Sequence, residues 1–199
     1  GDPGGHMRRA LDHFPVARLA DQVWDTYYIA GGKAPNAAFV TRAQASPTPA
    51  PDWQALCVVA NFVEVFLARE GHNNPVGINY LEKIQTPHLP SIYGAMLAGV
   101  HYVLMGAGIP LKIPGVLDLF ANHQPATYPL NVSGAAADDA TTLSFDPQTI
   151  VGVTEPPLTR PQFLAIIASD VLALTLQRRA SGLVNGFIVG SWAPQIPVF

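Results

Sequence analysis

Two neighbouring stretches decide the fold class: Pro75-Val76-Gly77-Ile78-Asn79-Tyr80-Leu81-Glu82-Lys83-Ile84-Gln85, and Pro90-Ser91-Ile92-Tyr93-Gly94-Ala95-Met96-Leu97-Ala98-Gly99-Val100-His101-Tyr102-Val103-Leu104-Met105-Gly106-Ala107-Gly108-Ile109-Pro110. Val76-Gly77-Ile78 is a short apolar run behind a proline and reads as a buried strand. Pro90-Ser91 opens a helix that continues through Ala98, and Gly99 stops it. His101 to Met105 is then a second buried strand, which leads into the Gly106-to-Pro110 turn. Strand, helix and strand with strands apolar on both faces specify a parallel sheet covered by helices.

The same alternation extends in both directions. Val16 to Ile29 spaces Val16, Leu19, Ala20, Val23, Trp24, Tyr27 and Tyr28 three and four apart, which predicts an amphipathic helix ending before Gly31-Gly32. Residues 34–51 are rich in proline and alanine and read as an extended connection. Asp52 is placed as the N-cap of a long helix over Trp53 to Glu70, stopped by Gly71. A short helix is expected from Pro114 to Asn122. Gln124 to Leu158 is polar and punctuated by prolines, with strands expected at Tyr128–Val132 and Thr149–Val153. Phe163 to Ala168 reads as a strand, Asp170 to Ala180 as a helix stopped by Gly182, and Val184 to Val189 as a further strand. The fold class is therefore α/β, a single domain over residues 1–199 built from parallel (β/α) repeats. Periodicity alone fits a doubly wound sheet and a barrel equally well.

Composition narrows the function classes. Of the 199 residues 49% are hydrophobic and 13% charged, about half the usual charge content of a soluble domain, so part of the surface is expected to meet a partner. A net charge of -3 with no basic cluster beyond Arg8-Arg9 and Arg178-Arg179 argues against nucleic acid. Ile92 to Ile109 carries no charge apart from a His101 proton, but its four glycines and flanking prolines divide it into βα pieces rather than a membrane span. The N-terminal residues have no apolar signal-peptide core, so a cytoplasmic location is expected. Cys57, the single cysteine, lies in an apolar run and reads as a buried, inert thiol. The six histidines show no metal-site spacing, and no nucleophile elbow is present, so neither a metal nor a catalytic residue is assigned.

In parallel α/β proteins chemistry collects beyond the carboxyl ends of the strands, where loops and helix N-termini converge. After Ile78, Asn79 can donate to and accept from a heterocycle edge, and Lys83 can neutralise an anion; a plain surface loop with a Glu82/Lys83 pair is the competing reading. After Met105, Gly106, Ala107 and Gly108 allow the backbone close to a ligand, although a tight strand-to-helix turn explains the spacing as well. After Ala168, Ser169 faces the same end of the sheet, with helix capping as its ordinary role.

The residues quoted at the outset resemble a subgroup of the nitronate monooxygenase (2-nitropropane dioxygenase) family. The resemblance extends from Val23, through Trp24-Asp25-Thr26-Tyr27-Tyr28-Ile29-Ala30-Gly31-Gly32-Lys33 and Asn61-Phe62-Val63-Glu64-Val65-Phe66-Leu67-Ala68, to Phe187-Ile188-Val189. It implies a TIM-type barrel holding FMN, a monooxygenase flavoprotein that oxidises nitronates with dioxygen. Some relatives are enoyl reductases of polyketide or lipid synthesis. Position by position it implies that Asn79 lies near the flavin, that the Gly106-to-Pro110 loop lines the pocket and that Ser169 faces it.

The departure is equally specific. In the family, the strand matching Gly186-Phe187-Ile188-Val189 enters a Gly-Gly-His turn whose histidine is the candidate base, and later glycine segments seat the FMN phosphate. Here residues 190–199 form a divergent tail, and Gly4-Gly5-His6 has no strand before it. A complete barrel takes about 250 residues, so the chain is expected to be an incomplete, open barrel, inactive by itself. Such a piece would associate as a homo-oligomer or with a complementing chain, or serve as a non-catalytic scaffold subunit.

Overall fold

The computed structural model describes residues 2–38, 46–130 and 141–190. Its centre is a four-stranded parallel sheet of β1 (Gly77–Leu81), β2 (Tyr102–Gly106), β5 (Gln162–Ile167) and β6 (Gly186–Val189), hydrogen-bonded in that order. Among the described residues strand order follows chain order without reversal, so these four strands are wound in one direction with no topological switch point between them. Right-handed crossovers then put the linking helices α4 (His88–Leu97), α5 (Ile113–Ala121) and α7 (Asp170–Arg179) on the same face.

Burial follows that asymmetry. Val103, Met105, Phe163 and Ala165 are fully buried on the helix-covered face. Their neighbours on the other face, Leu104, Leu164, Ile166 and Ile188, are half-buried, and Asn79 is exposed. Parallel pairing of Asn79 with Leu104, and of Leu104 with Leu164, sets these side chains in a row across the open face.

Two further helices, α1 (His6–Asp12) and α2 (Ala17–Tyr27), lean on the long α3 (Pro51–Arg69), which packs against α4. The α3–α4 approach is close because Gly94 has no side chain: a Cβ there would overlap the Val58 carbonyl. Arg69 Nη1 ties the helix ends by donating to Ala98 O at 2.6 Å. Between α5 and β5 the chain makes an antiparallel hairpin, β3 (Ala126–Leu130) with β4 (Thr141–Phe145), and the single-turn α6 (Pro147–Ile150). The hairpin is fastened through aromatic contacts to α4 and α5, and Gln54 of α3 donates to Ser144 O at 3.1 Å. At the amino ends of the strands Arg160 reaches Asp118, the carbonyls of Pro161 and Leu183, and Asn185 Oδ1, joining α5, β5 and the turn before β6.

Several expectations need correction. Asp52 is not the N-cap of α3: Ala50 holds that position and Pro51 begins the helix, its fixed φ suiting the first turn, where Asp52 faces the helix dipole favourably. The connection therefore ends at residue 50; its described parts, 34–38 and 46–50, contain no helix or strand. The strand expected at Thr149–Val153 is absent. Asp146 accepts from Gln148 N and Thr149 N and caps α6 there, while the strand lies earlier, at Thr141–Phe145. Helix α1 was not expected; it starts at a left-handed Gly5, and Asp2 Oδ2 accepts from Arg8 N at 3.0 Å. Cys57 is half-buried rather than fully buried, and desolvation raises its thiol to about 11, which keeps it unreactive. No described helix is long and apolar enough to cross a membrane. The tail at 191–199 lies outside the described residues, as does the strand end proposed at residues 131–132.

Candidate functional site

Strand β1 continues to Leu81, paired with Gly106, so Asn79 stands inside the strand rather than in the loop after it. Its side chain belongs to the exposed face. The polar run that follows turns back under the sheet edge: Glu82 N donates to Gly106 O at 2.8 Å, which locks the end of β1 to the end of β2.

Glu82 is not half of a surface pair with Lys83. It is buried, and its Oε1 accepts from Gln85 Nε2 at 2.6 Å and from Tyr128 Oη at 3.1 Å. Its other oxygen lies over Gly108, where any side chain would collide with it. The glycine is therefore required by this carboxylate. Ala107, beside it, has φ of 56°, a left-handed conformation that costs a non-glycine residue about 1 kcal/mol and that tends to collect at functional turns.

Six residues after Glu82, His88 opens α4 and is 2% exposed. Its Nε2 lies 3.0 Å from Leu81 O, and a carbonyl only accepts, so Nε2 carries the proton. Burial lowers the ring's affinity for a second proton more than the Leu81 carbonyl and the Glu82 carboxylate raise it. The ring is thus neutral and Nδ1 is a bare acceptor. Among the described residues that atom is the one buried side-chain nitrogen or oxygen without a hydrogen-bond partner. Tyr128 meets the imidazole edge to face, with centroids 5.4 Å apart. Burial, reinforced by Glu82, pushes the Tyr128 hydroxyl well above its ordinary range, so it remains a donor.

A cleft of about 230 Å3 opens beside β1, lined by Asn79, Leu81, Ile84, Pro87, His88 and neighbouring side chains. Tyr80 closes its inner wall, with its hydroxyl 3.0 Å from both Asn61 Oδ1 and Ser91 O.

The structure therefore brings together Asn79, Gly106 and Gly108 from the sequence-derived set, and adds Glu82, Gln85, His88 and Tyr128. Lys83 is exposed, and none of the ion pairs among the described residues includes it. Ser169 caps α7, its Oγ accepting from Leu172 N at 3.3 Å. Its hydroxyl is engaged in the ordinary capping role, at an exposed position. The spacing of Glu82, Gln85 and His88 within one polar turn is visible in the sequence. Their convergence with Tyr128 depends on the hairpin and has no local signal. Comparison with protein-family models, with curated proteins and with solved structures finds no match for this chain.

Proposed function

We propose that this chain is part of an FMN-dependent (β/α) barrel oxidoreductase acting on nitronates, and that the open face of its sheet is the flavin-facing surface. The observation that carries the reading is the one-way winding of the parallel sheet, which leaves a continuous face of half-buried apolar side chains opposite the helices. A barrel is this sheet continued until its edges meet.

The residues fit the planar part of a flavin. Gly77, Gly106 and Gly186 lie along that face, and a Cβ at any of them would press on Leu104, Ile166 or Leu164. A low, flat floor results, with the Asn79 carboxamide standing beside it as both donor and acceptor. FMN would supply the two-electron chemistry between nitronate and dioxygen, and the chain's part is to orient the ring and exclude water. Lys83 and Ser169 are the groups within this chain proposed to lie toward the phosphate side.

Titration of FMN fluorescence tests the reading. The chain should quench the flavin saturably, and Asn79→Leu should weaken binding about tenfold, the loss of roughly one hydrogen bond. Absence of quenching, or a variant that binds as the parent does, would count against it.

Among the described residues β1 and β6 each have one edge that no strand pairs, which favours a second reading, in which the chain is an interaction subunit that pairs with a complementing chain or a second copy. Under that reading flavin binding by the separate chain is not required.

A further inference from the structure

Both outer strands of the parallel sheet present unused backbone. Tyr102 N donates to Val76 O at 3.2 Å and Glu82 N to Gly106 O at 2.8 Å, so the even-numbered residues of β1 bond toward β2. Successive residues of a strand bond to opposite sides, which turns the amide and carbonyl of Asn79 outward. At the other edge Asn185 N donates to Phe163 O at 2.9 Å, and the same alternation carries Phe187 toward β5 and turns Ile188 outward. Among the described residues no strand pairs with either edge. Neither edge is covered. A cleft opens beside β1, where Leu81 is 42% and Ile84 52% exposed. β6 has no buried residue, although Phe187 lies level with the fully buried Ala165, and Val189 is 76% exposed.

We propose that two copies of this chain close one eight-stranded parallel barrel, β6 of each pairing with β1 of the other. β1 and β6 run in the same direction, so a β6–β1 pairing between copies continues the parallel sheet in the order it already has. Four strands are too few to close on themselves, whereas twice four is the number at which side chains just fill the interior of a parallel barrel. Closure also buries the right face. The linking helices stay outside, and Leu104, Leu164, Ile166 and Ile188 turn from half-buried surface into core. A pairing between unlike edges gives a ring when its rotation closes and a fibre when it does not, and eight strands are a closing number. A β6–β6 pairing would leave both β1 edges and the open face bare. The proposal rests on the reading of the open face as a barrel interior, and it identifies the complementing chain as a second copy.

The mass of the full chain in solution, measured by light scattering over a range of concentrations, tests this. It should reach twice the 21.2 kDa of one chain, without larger species. Proline is accepted at an edge position whose N–H meets solvent, but it cannot donate across a seam. Asn79→Pro and Ile188→Pro should therefore each raise the dissociation constant of the dimer about tenfold or more, since each substitution falls in both seams. An equimolar mixture of the two variants should recover part of that loss, because one seam of the mixed dimer joins two unsubstituted edges. Hydrogen exchange on the parent chain reads the same edges without a substitution. The Asn79 and Ile188 amides, which face no strand within one copy, should be protected about as well as that of Phe187. A monomer at every concentration, a continuous series of larger assemblies, an edge variant that dimerises as the parent does, a mixture no tighter than its components, or protection at only one of the two amides would each overturn the proposal. FMN takes no part in these measurements. A dimer with both seams that fails to quench flavin loses only the flavin reading, and a monomer that binds flavin loses only this proposal.

Discussion

Replacing Phe120 by alanine should lower the stability of this protein by about 4 kcal/mol, the usual scale for deleting a buried aromatic ring, and its melting temperature by about 10 °C. Phe120 is completely buried on α5. It meets Tyr93 of α4 edge to face at 5.3 Å and Phe145 of β4 at 5.7 Å, and the latter two rings lie 5.5 Å apart. The three rings fasten the β3–β4 hairpin to the helices. That attachment matters beyond stability, because the hairpin carries Tyr128 to Glu82. Phe120→Leu keeps most of the apolar volume and should lose less than half as much. Urea denaturation of the three proteins, compared at constant slope, measures the difference. A loss below about 1 kcal/mol for the alanine variant would mean that the hairpin is not seated on this cluster.

The second large effect is expected at Gly94. In an isolated helix, alanine is more favourable than glycine by about 1 kcal/mol, so propensity alone predicts a more stable protein. Here the added methyl would overlap the Val58 carbonyl of α3, which is backbone and cannot rotate away. Separating two packed helices costs about 3 kcal/mol, and the contact wins. Gly94→Ala should therefore destabilise the protein by about 2 kcal/mol net, read from the midpoint of thermal unfolding. A raised midpoint would show that α3 and α4 stand further apart.

The parts of the fold legible in the sequence are those decided by local contrast. The apolar runs around Val103 to Met105 and Phe163 to Ile167 stand out because they are apolar on both faces, which occurs where a strand packs on helices at one side and on its neighbours' side chains at the other. Gly99, left-handed with φ of 74°, and Ser169, a working cap, mark helix ends by their own chemistry. Thr149 to Val153 misleads because its β-branched composition resembles a strand, while the Asp146 side chain two residues upstream of Gln148 turns the backbone into a helical turn. Composition loses to a cap.

The candidate site divides in the same way. Gly106 and Gly108 are legible as a backbone turn, but the reason for Gly108, the Glu82 carboxylate above it, is a contact between consecutive strand ends. Glu82 reads as a surface residue because its neighbour is Lys83, whereas its carboxylate is buried and accepts from Gln85 and from Tyr128, which the hairpin brings over. His88 shows in the sequence only through its spacing from Glu82 and Gln85; its burial, and the lack of a partner for Nδ1 among the described residues, appear only in the structure. The order of strands is also beyond local patterning: repeats of strand and helix are equally compatible with a reversing sheet, and the one-way order of β1, β2, β5 and β6 appears only in the pairing.

The visible absorption spectrum of the purified chain, recorded after incubation with FMN and removal of free flavin by desalting, tests the central proposal most directly. The flavin reading predicts that a flavin band stays with the protein, perturbed from the free spectrum by the apolar floor of Leu104 and Leu164. Flavin recovered entirely in the small-molecule fraction, from a chain that is folded by circular dichroism, would contradict it.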